Sequence, residues 1–545
     1  MAACQRAIAL DPNIAESRNY LGIVPANMER PDEAITAYRA AIALKPAYVE
    51  AHYNLGIALA NMGRLDDAIA AYRAAIALKP GYAQAHSNLG NALKESGRLD
   101  EAIAAFRKAM ELNPAIIVAH DNLLLSLQYH PDSDPRNLFE ESREWDGIQT
   151  ELLKQLIGSS SASSGRPSHN ARTADRRLRI GYVSGDFRDH PVARFALPLL
   201  GSHDHGGFET FCYAKVPVSD SVTLQFQKYA DGWRNIAGMS DAVVAEAIRL
   251  DEIDILVDLS GHTDGNRLPV FARKPAPVQV TYLGYPATTG LKAIDYRLTD
   301  ELADPPGLAD SYCSERLIRL PPCAWCYQPP EASPAVGELP AKRNGYITFG
   351  SFNNFSKINE PLLKLWAGIL LRVPQSRMLL KAKSLRCGSV QEYVVRVMRD
   401  LGIGPQRLDM RGWVPAGDHL AVYNQVDIGL DTYPYHGTTT TCEALWMGVP
   451  VISLAGQSHV SRVGVSLLSN VGLEDFIGHT ADQYVEAAVR LAGDLSKLEH
   501  KRQNLRQHME QSPLMDAPKF ARNIEAAYRL MWQGWCEAGK SGVTS

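Results

Sequence analysis

Residues 431–456, DTYPYHGTTTTCEALWMGVPVISLAG, hold the side chains best suited to chemistry. An apolar run ending near Leu430 leads into Gly437 and four consecutive threonines, and a helical pattern follows from about Cys442. Threonine hydroxyls and backbone amides at a helix start offer donors to an anion, and the helix dipole favours negative charge there. Glu443, in the first turn, is a poor neighbour for phosphate but a good acceptor for a vicinal diol such as ribose. The same residues would also satisfy an N-capped helix, the hydroxyls and the carboxylate serving only the backbone. Four threonines exceed what capping requires.

Such a turn needs a strand before it and a helix after it, and the surrounding sequence supplies both. Candidate strands fall at 178–183, 210–214, 253–259 and 278–283. After a proline-rich stretch near 321–334 others follow at 346–349, 377–380, 408–412, 428–430 and 449–454. Helical patterns lie between them, for example at 361–371 and 388–401. Alternation of this kind predicts parallel sheets covered on both faces, here two Rossmann-like α/β domains with a cleft between them. Ligands of such sheets bind outside the carboxyl ends of strands. The predicted boundaries are 178–335 for the first domain and 336–545 for the second with its terminal helices. A serine-rich stretch, 156–177, precedes them as a flexible linker.

The first quarter repeats every 34 residues. Leu21-Gly22, Leu55-Gly56 and Leu89-Gly90 recur in step with Ala34, Ala68 and Ala102, with Tyr38, Tyr72 and Phe106, and with Pro46, Pro80 and Pro114. This is the tetratricopeptide pattern of paired helices, with small residues at the contact and proline after the second helix. Residues 1–12 read like the second helix of a unit, so the chain is expected to begin partway through a repeat. Pro25 is expected to kink or break the first helix of the next one. The pattern dissolves at His130-Pro131, and 1–155 is taken as repeats and transition helices. Stacked helix pairs form a groove suited to extended peptides. Asn54, Asn88 and Asn122, 34 apart, would line it with amides that donate to and accept from a peptide backbone. They would equally bond within the solenoid.

Composition narrows the classes. The 56 basic and 60 acidic residues give a net charge of −4, which leaves no positive excess to track a phosphate backbone, so nucleic acid is not expected as a partner. No apolar run reaches the ~18 residues that cross a membrane, and no secretion signal opens the chain. Eight scattered cysteines fit reduced thiols in a cytoplasmic protein better than a disulfide scaffold. There is no G-x-G-x-x-G after a strand, no phosphate loop, no G-x-S-x-G and no H-E-x-x-H.

The small-residue turn, Glu443-Ala444 and Gly448-Val449-Pro450-Val451 resemble the nucleotide-sugar half of a GT-B glycosyltransferase. With the repeats, GYVSGDFRDHP (181–191), LGYPATTG (283–290) and SFNNFSKI (351–358) added, nearly the whole chain resembles the protein O-GlcNAc transferases, glycosyltransferase family 41, in a bacterial form. That resemblance implies a fold and a reaction. The fold is an α-helical repeat solenoid followed by a GT-B region. The reaction is inverting transfer of N-acetylglucosamine from UDP-GlcNAc to Ser/Thr hydroxyls of polypeptides held along the repeats. It implies roles at matching positions. Thr439 and Thr440 contact the donor diphosphate, Lys357 neutralises it with Asn354 beside it, Glu443 stands at a ribose-binding aspartate, and His419 stacks on uracil. Thr438, also at the donor, stands where the animal enzymes have histidine, and Ala421 where they have arginine. His190 is the candidate general base: it follows a strand and loop, and histidine titrates near neutral pH. An alternative is that it only hydrogen-bonds the donor or the backbone. No metal or other cofactor is expected, because Asp132-Ser133-Asp134, the one metal-binding D-x-D match noted, falls at the end of the repeats and Lys357 with the threonine turn can offset the leaving charge. Two other readings stand beside this one: a different donor such as GDP-fucose on the same fold, and a repeat scaffold with a silent transferase domain.

Lesser motifs read as structural. Cys323-Ala324-Trp325-Cys326 lacks a second ligand pair. His203-Asp204-His205 reads as a solvated turn, 499–510 as a solvated charged helix, and Tyr528, Trp532 and Trp535 as packing at helical spacing.

Overall fold

The computed structural model describes residues 13–27, 30–157, 170–412 and 414–541. The expected leading helix over 1–12 lies outside them, as does 158–169 of the serine-rich stretch. Eight helices open the described chain: α1 (Ala15–Asn27), α2 (Pro31–Leu44), α3 (Val49–Asn61), α4 (Leu65–Leu78), α5 (Ala83–Glu95), α6 (Leu99–Leu112), α7 (Ile117–Tyr129) and α8 (Pro135–Ile157). Seven strands, β1 (Leu178–Ser184), β2 (Phe208–Ala214), β3 (Gly232–Asn235), β4 (Ile255–Asp258), β5 (Val278–Thr281), β6 (Tyr296–Thr299) and β7 (Arg316–Arg319), follow in one parallel sheet. Then come β8 (Thr348–Ser351), β9 (Arg377–Lys381), β10 (Leu408–Arg411), β11 (Ile428–Leu430), β12 (Val451–Leu454) and β13 (Ile477–Gly478), which belong to a second. Helical repeats followed by a two-sheet parallel α/β region is the architecture expected. The short strands β3, β6, β7 and β13 are additions to it.

The chain divides into two compact units. One comprises Met1–Pro131, Ser351–Leu371 and Arg377–Val414, the other Asp132–Gly350, Arg372–Ser376 and Pro415–Ser545. This grouping cuts across the chain-order boundaries expected at 155 and 335.

In the first unit the 34-residue step is a packing rule. A Cβ built on Gly22, Gly56 or Gly90 would come within 2.6, 2.5 or 2.6 Å of the ring of Tyr38, Tyr72 or Phe106 respectively. Those rings are no more than 3% exposed, so each first helix must leave out a side chain where the aromatic of its second helix lies. Pro25 does not break its helix: α1 runs on to Asn27. It sits in the last turn, where only one ladder bond is forfeited. β9 and β10 pair in parallel in this unit, from Met378 opposite Leu408 to Lys381 opposite Arg411.

In the second unit the seven strands run in the order β3-β2-β1-β4-β5-β6-β7. The order reverses between β1 and β4, so the loops leaving those two strands open onto the crevice where such sheets bind ligands. β8, β11, β12 and β13 pair in parallel in that order. The C-terminal part of the serine-rich stretch is held here. Arg176 donates to Asp254 at 2.7 Å, Arg172 lies 3.9 Å from the Trp535 ring centroid, and Arg176 lies 4.7 Å from that of Trp532. Trp532 is fully buried and stacks on Trp535, as the helical spacing predicts.

Candidate active site

The turn after β11 is fixed from beneath. Asp431 accepts from the backbone N–H of Thr432 at 2.9 Å and of Gly437 at 2.7 Å, and from the Ser453 hydroxyl at 2.8 Å. His436 is 1% exposed; its Nε2 donates to the Leu454 carbonyl at 2.9 Å and its Nδ1 accepts from the Gly464 N–H at 3.0 Å. With one nitrogen donating and the other accepting, this imidazole is held in one neutral tautomer. Gly464 is required there, because a Cβ would lie 2.2 Å from Ser453 Oγ and 2.9 Å from His436 Nδ1.

Beyond this turn the helix Thr439–Trp446 begins three threonines earlier than the expected start near Cys442. Thr438 stands at its N-cap in helical geometry, with φ −93° and ψ −70°, and its side chain makes no capping bond. The purely capping account of the threonines therefore loses its main support. Thr438, Thr439 and Thr440 are partly exposed, while Thr441 and Cys442 face inward. Four residues into this helix Glu443 meets His419: His419 Nε2 donates to Glu443 Oε2 at 2.8 Å. Tyr423 completes the group. Its hydroxyl lies 3.2 Å from Glu443 Oε2 and 3.2 Å from the Thr440 carbonyl, and its ring meets that of His419 edge-on. Burial, reinforced by the neighbouring carboxylate, holds the Tyr423 phenol well above its usual range, so it remains a donor. Tyr423 was not singled out from the sequence, although it lies four residues after His419 and so on the same side of a helical turn.

His190 leaves the carboxyl end of β1. Its Nδ1 lies 3.3 Å from the Val192 N–H, which donates to it, and 3.5 Å from Asp186 Oδ1. Burial lowers its proton affinity and Asp186 partly restores it, for a net pKa below the usual value of 6.5. The imidazole is therefore neutral at pH 7. While Nδ1 accepts from Val192 the proton sits on Nε2; the other tautomer, with Nδ1–H turned to Asp186 in place of the Val192 bond, frees Nε2 as an acceptor. Around it the loops are tightly approached. A Cβ on Gly185 would lie 3.3 Å from the Gly265 carbonyl in the loop after β4, one on Gly284 2.1 Å from the Leu259 carbonyl, and one on Gly290 2.1 Å from the Ser142 carbonyl of α8. The glycines of LGYPATTG thus seat that loop between the β4 loop and α8. His262 is buried, donates from Nε2 to the Thr289 carbonyl at 2.8 Å and packs edge-on to Trp145, which makes it part of this support.

Lys357 and Asn354 lie in the first unit, on the turn after β8. Asn354 is exposed, and its side-chain oxygen accepts from the Ser356 N–H at 3.2 Å, starting the short helical turn Phe355–Lys357. Lys357 is partly buried, with Nζ 3.5 Å from Asn353 Oδ1. Lys381, at the carboxyl end of β9, is 7% exposed and stands over the Phe352 ring at 5.1 Å; it is a second buried cation that the strand pattern ending in lysine could have flagged. The asparagines of the repeats are engaged within the solenoid. Asn54 donates to Asn19 at 3.1 Å, Asn88 to the Tyr53 hydroxyl at 3.1 Å and Asn122 to the Val118 carbonyl at 2.8 Å, while Asn122 also accepts from Lys94 at 2.7 Å.

Two lesser motifs take different places from those expected. His203 is no solvated residue: it is buried between the Tyr182 hydroxyl at 2.8 Å and Glu525 at 2.9 Å, because the C-terminal helix Ala517–Ser541 covers it. The charged helix Leu495–Glu510 buries Arg502, which donates to the Val426 and Gly337 carbonyls at 2.8 Å each and whose pKa burial pushes down to about 10. Asp134 of the D-x-D match accepts from the Arg136 N–H at 2.9 Å at the start of α8. Cys323 and Cys326 are buried free thiols.

Comparison with known proteins covers both the repeats and the α/β region. The tetratricopeptide repeat model matches residues 21–83 and 53–115. The chain is 43% identical over 420 residues to the tomato (Solanum lycopersicum) protein described as probable UDP-N-acetylglucosamine–peptide N-acetylglucosaminyltransferase SPINDLY, covering 76% of this chain and 44% of that protein. It is 34% identical to the Arabidopsis thaliana counterpart described as SEC, over 66% of this chain and 38% of that one. The chain thus spans less than half the length of these plant relatives. A solved structure of an O-GlcNAc transferase mutant from Thermobaculum terrenum superposes with a TM-score of 0.88 at 35% identity, covering 97% of this chain and 99% of that chain. The family model described as glycosyl transferase family 41 matches residues 163–326 and 337–524. With the greater part of its length so matched, the chain belongs to glycosyl transferase family 41.

Proposed function

We propose that the chain transfers N-acetylglucosamine from UDP-N-acetylglucosamine to serine and threonine hydroxyls of polypeptides, with inversion and without a metal ion. The observation that carries this reading is the helix start at Thr439: it has no side-chain cap, and one turn on it carries a carboxylate gripped by His419 and Tyr423. An uncapped helix start suits a diphosphate and a carboxylate suits a ribose diol, so the pair has the chemistry of a nucleotide diphosphate.

In the reaction His190, in the tautomer that turns Nδ1–H to Asp186 instead of accepting from Val192, takes the proton of the acceptor hydroxyl on Nε2 as that oxygen bonds to the anomeric carbon. The bond from that carbon to the diphosphate oxygen breaks on the opposite face, and UDP leaves. Donors fixed in place stabilise the departing charge without reorganising, and Thr438, Thr439, Thr440 and Lys357 are assigned that part, with Asn354 shaping the lysine turn. Glu443 holds the ribose, and His419, steadied by Glu443, presents its ring to uracil. The acceptor polypeptide runs along the repeats past Asn54, Asn88 and Asn122. The reading includes a bacterial member of the family, supported by the near-complete match to the Thermobaculum chain. It also places the protein in the cytoplasm, supported by the free thiols of Cys212, Cys313, Cys323, Cys326, Cys387, Cys442 and Cys536. No helix among the described residues is long and apolar enough to cross a membrane.

The test is transfer to a mixture of Ser/Thr peptides from UDP-GlcNAc or GDP-fucose, with and without EDTA, read by mass spectrometry. N-acetylhexosamine on hydroxyl residues, unchanged by EDTA, is the expected outcome. Transfer from GDP-fucose alone would overturn the donor, and loss of transfer in EDTA would overturn the metal-free leaving group.

A further inference from the structure

The repeats touch more than an acceptor groove. Phe355, fully buried, lies against the turn between α5 and α6: a Cβ built on Gly97 would come 2.8 Å from Phe355 Cε1, and Gly97 has φ +80°. Next to it the Ser356 hydroxyl, 1% exposed, donates to the Lys94 carbonyl at 2.9 Å in the last turn of α5. Lys357 follows directly, its backbone N–H bonded to the Asn354 carbonyl at 3.0 Å, so the three residues form one short turn. A second grip lies one repeat earlier, where Asp66 accepts from the Cys387 thiol at 3.0 Å and the Ser389 hydroxyl at 2.7 Å. Gly63, 34 residues before Gly97, makes the same turn with φ +74°, and nothing lies within 4 Å of a Cβ built there. The left-handed backbone is thus common to both turns, and the aromatic contact belongs to Gly97 alone.

We propose that Gly97, with the Lys94 carbonyl, is a positioning element for Lys357, so that the repeat solenoid sets where this lysine stands. The inference rests on the reading of Lys357 as the lysine that meets the donor diphosphate. A side chain at residue 97 pushes the Phe355 ring, and the rigid three-residue turn carries that displacement to Lys357.

The experiment measures UDP affinity by calorimetry and transfer kinetics on the full chain for Gly97→Ala, Gly63→Ala, Ser356→Ala, Lys357→Ala and Gly97→Ala with Phe355→Leu. Gly97→Ala is expected to weaken UDP about tenfold, the effect of overpacking a tight contact, and to raise KM for the sugar nucleotide more than that for peptide. Gly63→Ala carries the same backbone strain and leaves UDP affinity within about twofold. Leucine at 355 makes room and restores most of the loss. Equal losses in Gly97→Ala and Gly63→Ala, or none in Gly97→Ala while Lys357→Ala still weakens UDP, would overturn the positioning role. If Lys357→Ala itself binds UDP like the parent, the donor-site reading falls instead. Should Gly97→Ala not fold, Ser356→Ala decides: it removes the bond to the Lys94 carbonyl and a longer one, 3.4 Å, to Asn354 Oδ1 within the same turn, and unchanged UDP affinity there would sink the proposal.

Discussion

The loop after β1 and the loop after β11 each present a histidine, and the two imidazoles are held in opposite ways. His436 is fully buried, with Nε2 donating to a carbonyl and Nδ1 accepting from an amide. His190 keeps 35% of its side chain exposed and engages only Nδ1, between an amide and a carboxylate; among the described residues its Nε2 has no hydrogen-bond partner. A ring whose two nitrogens are both committed to backbone cannot exchange a proton without breaking a buried bond. One held at a single nitrogen can. On the proposed reading, the β11 loop keeps the shape a binding loop needs and the β1 loop moves a proton.

Removing His190 should separate the two roles most widely. We expect His190→Ala to slow transfer by about 10²–10⁴, the usual worth of a general base, with UDP affinity unchanged by calorimetry. The pH profile sharpens the point. As a general base His190 would work in its neutral form, and its pKa is lowered, chiefly by burial. Activity should therefore persist as pH falls past the usual histidine value of 6.5, with the acid limb of kcat/KM centred below it. A limb centred above 6.5, or a rate untouched by the substitution, would break the comparison.

The opposite substitution should leave the profile alone. His436→Ala strands the Gly464 N–H and the Leu454 carbonyl and empties a buried site, which costs about 2–3 kcal/mol of stability. Urea unfolding reads that loss, while the position of the acid limb should not move.

Much of this was legible in the residues. The 34-residue step gave the solenoid because each contact recurs, so a rule such as glycine opposite an aromatic is stated several times over. The strand-loop-helix around the threonines was legible because the turn is local. Strands β3, β6, β7 and β13 escaped because they are short and partly polar: β3 reads GWRN and β7 RLIR. The helix began early because the threonines, poor helix formers in isolation, are recruited by burial of Thr441 and Cys442. Pairings across long separations left no trace in spacing at all. His203 meets Glu525, His419 meets Glu443 and Phe355 meets Gly97 only because the fold brings them together.

Those long-range pairs also grade the binding loop. Glu443→Gln keeps the shape and removes the charge that orders His419 and accepts from a diol. A charge-assisted hydrogen bond traded for a neutral one costs about 1.5 kcal/mol, so UDP should bind about tenfold more weakly. UMP, which keeps the ribose and loses a phosphate, should suffer by the same factor. A penalty for UDP alone would move Glu443 to the diphosphate.

Tyr423→Phe is the finest probe. Its hydroxyl sits 3.2 Å from two acceptors, the Thr440 carbonyl and Glu443 Oε2, so it links the helix start to the carboxylate. Losing it removes a donor whose partners retain others, since His419 still donates to Glu443. The ring itself, 4% exposed, is retained, so no cavity opens. We expect a loss of about 0.5–1 kcal/mol in UDP affinity, roughly two- to fivefold, with kcat nearly unchanged because the reacting atoms are not touched. An effect as large as that of Glu443→Gln would mean that the phenol, rather than the imidazole, is what orients the carboxylate, and the sharing of labour inferred for this loop would have to be redrawn.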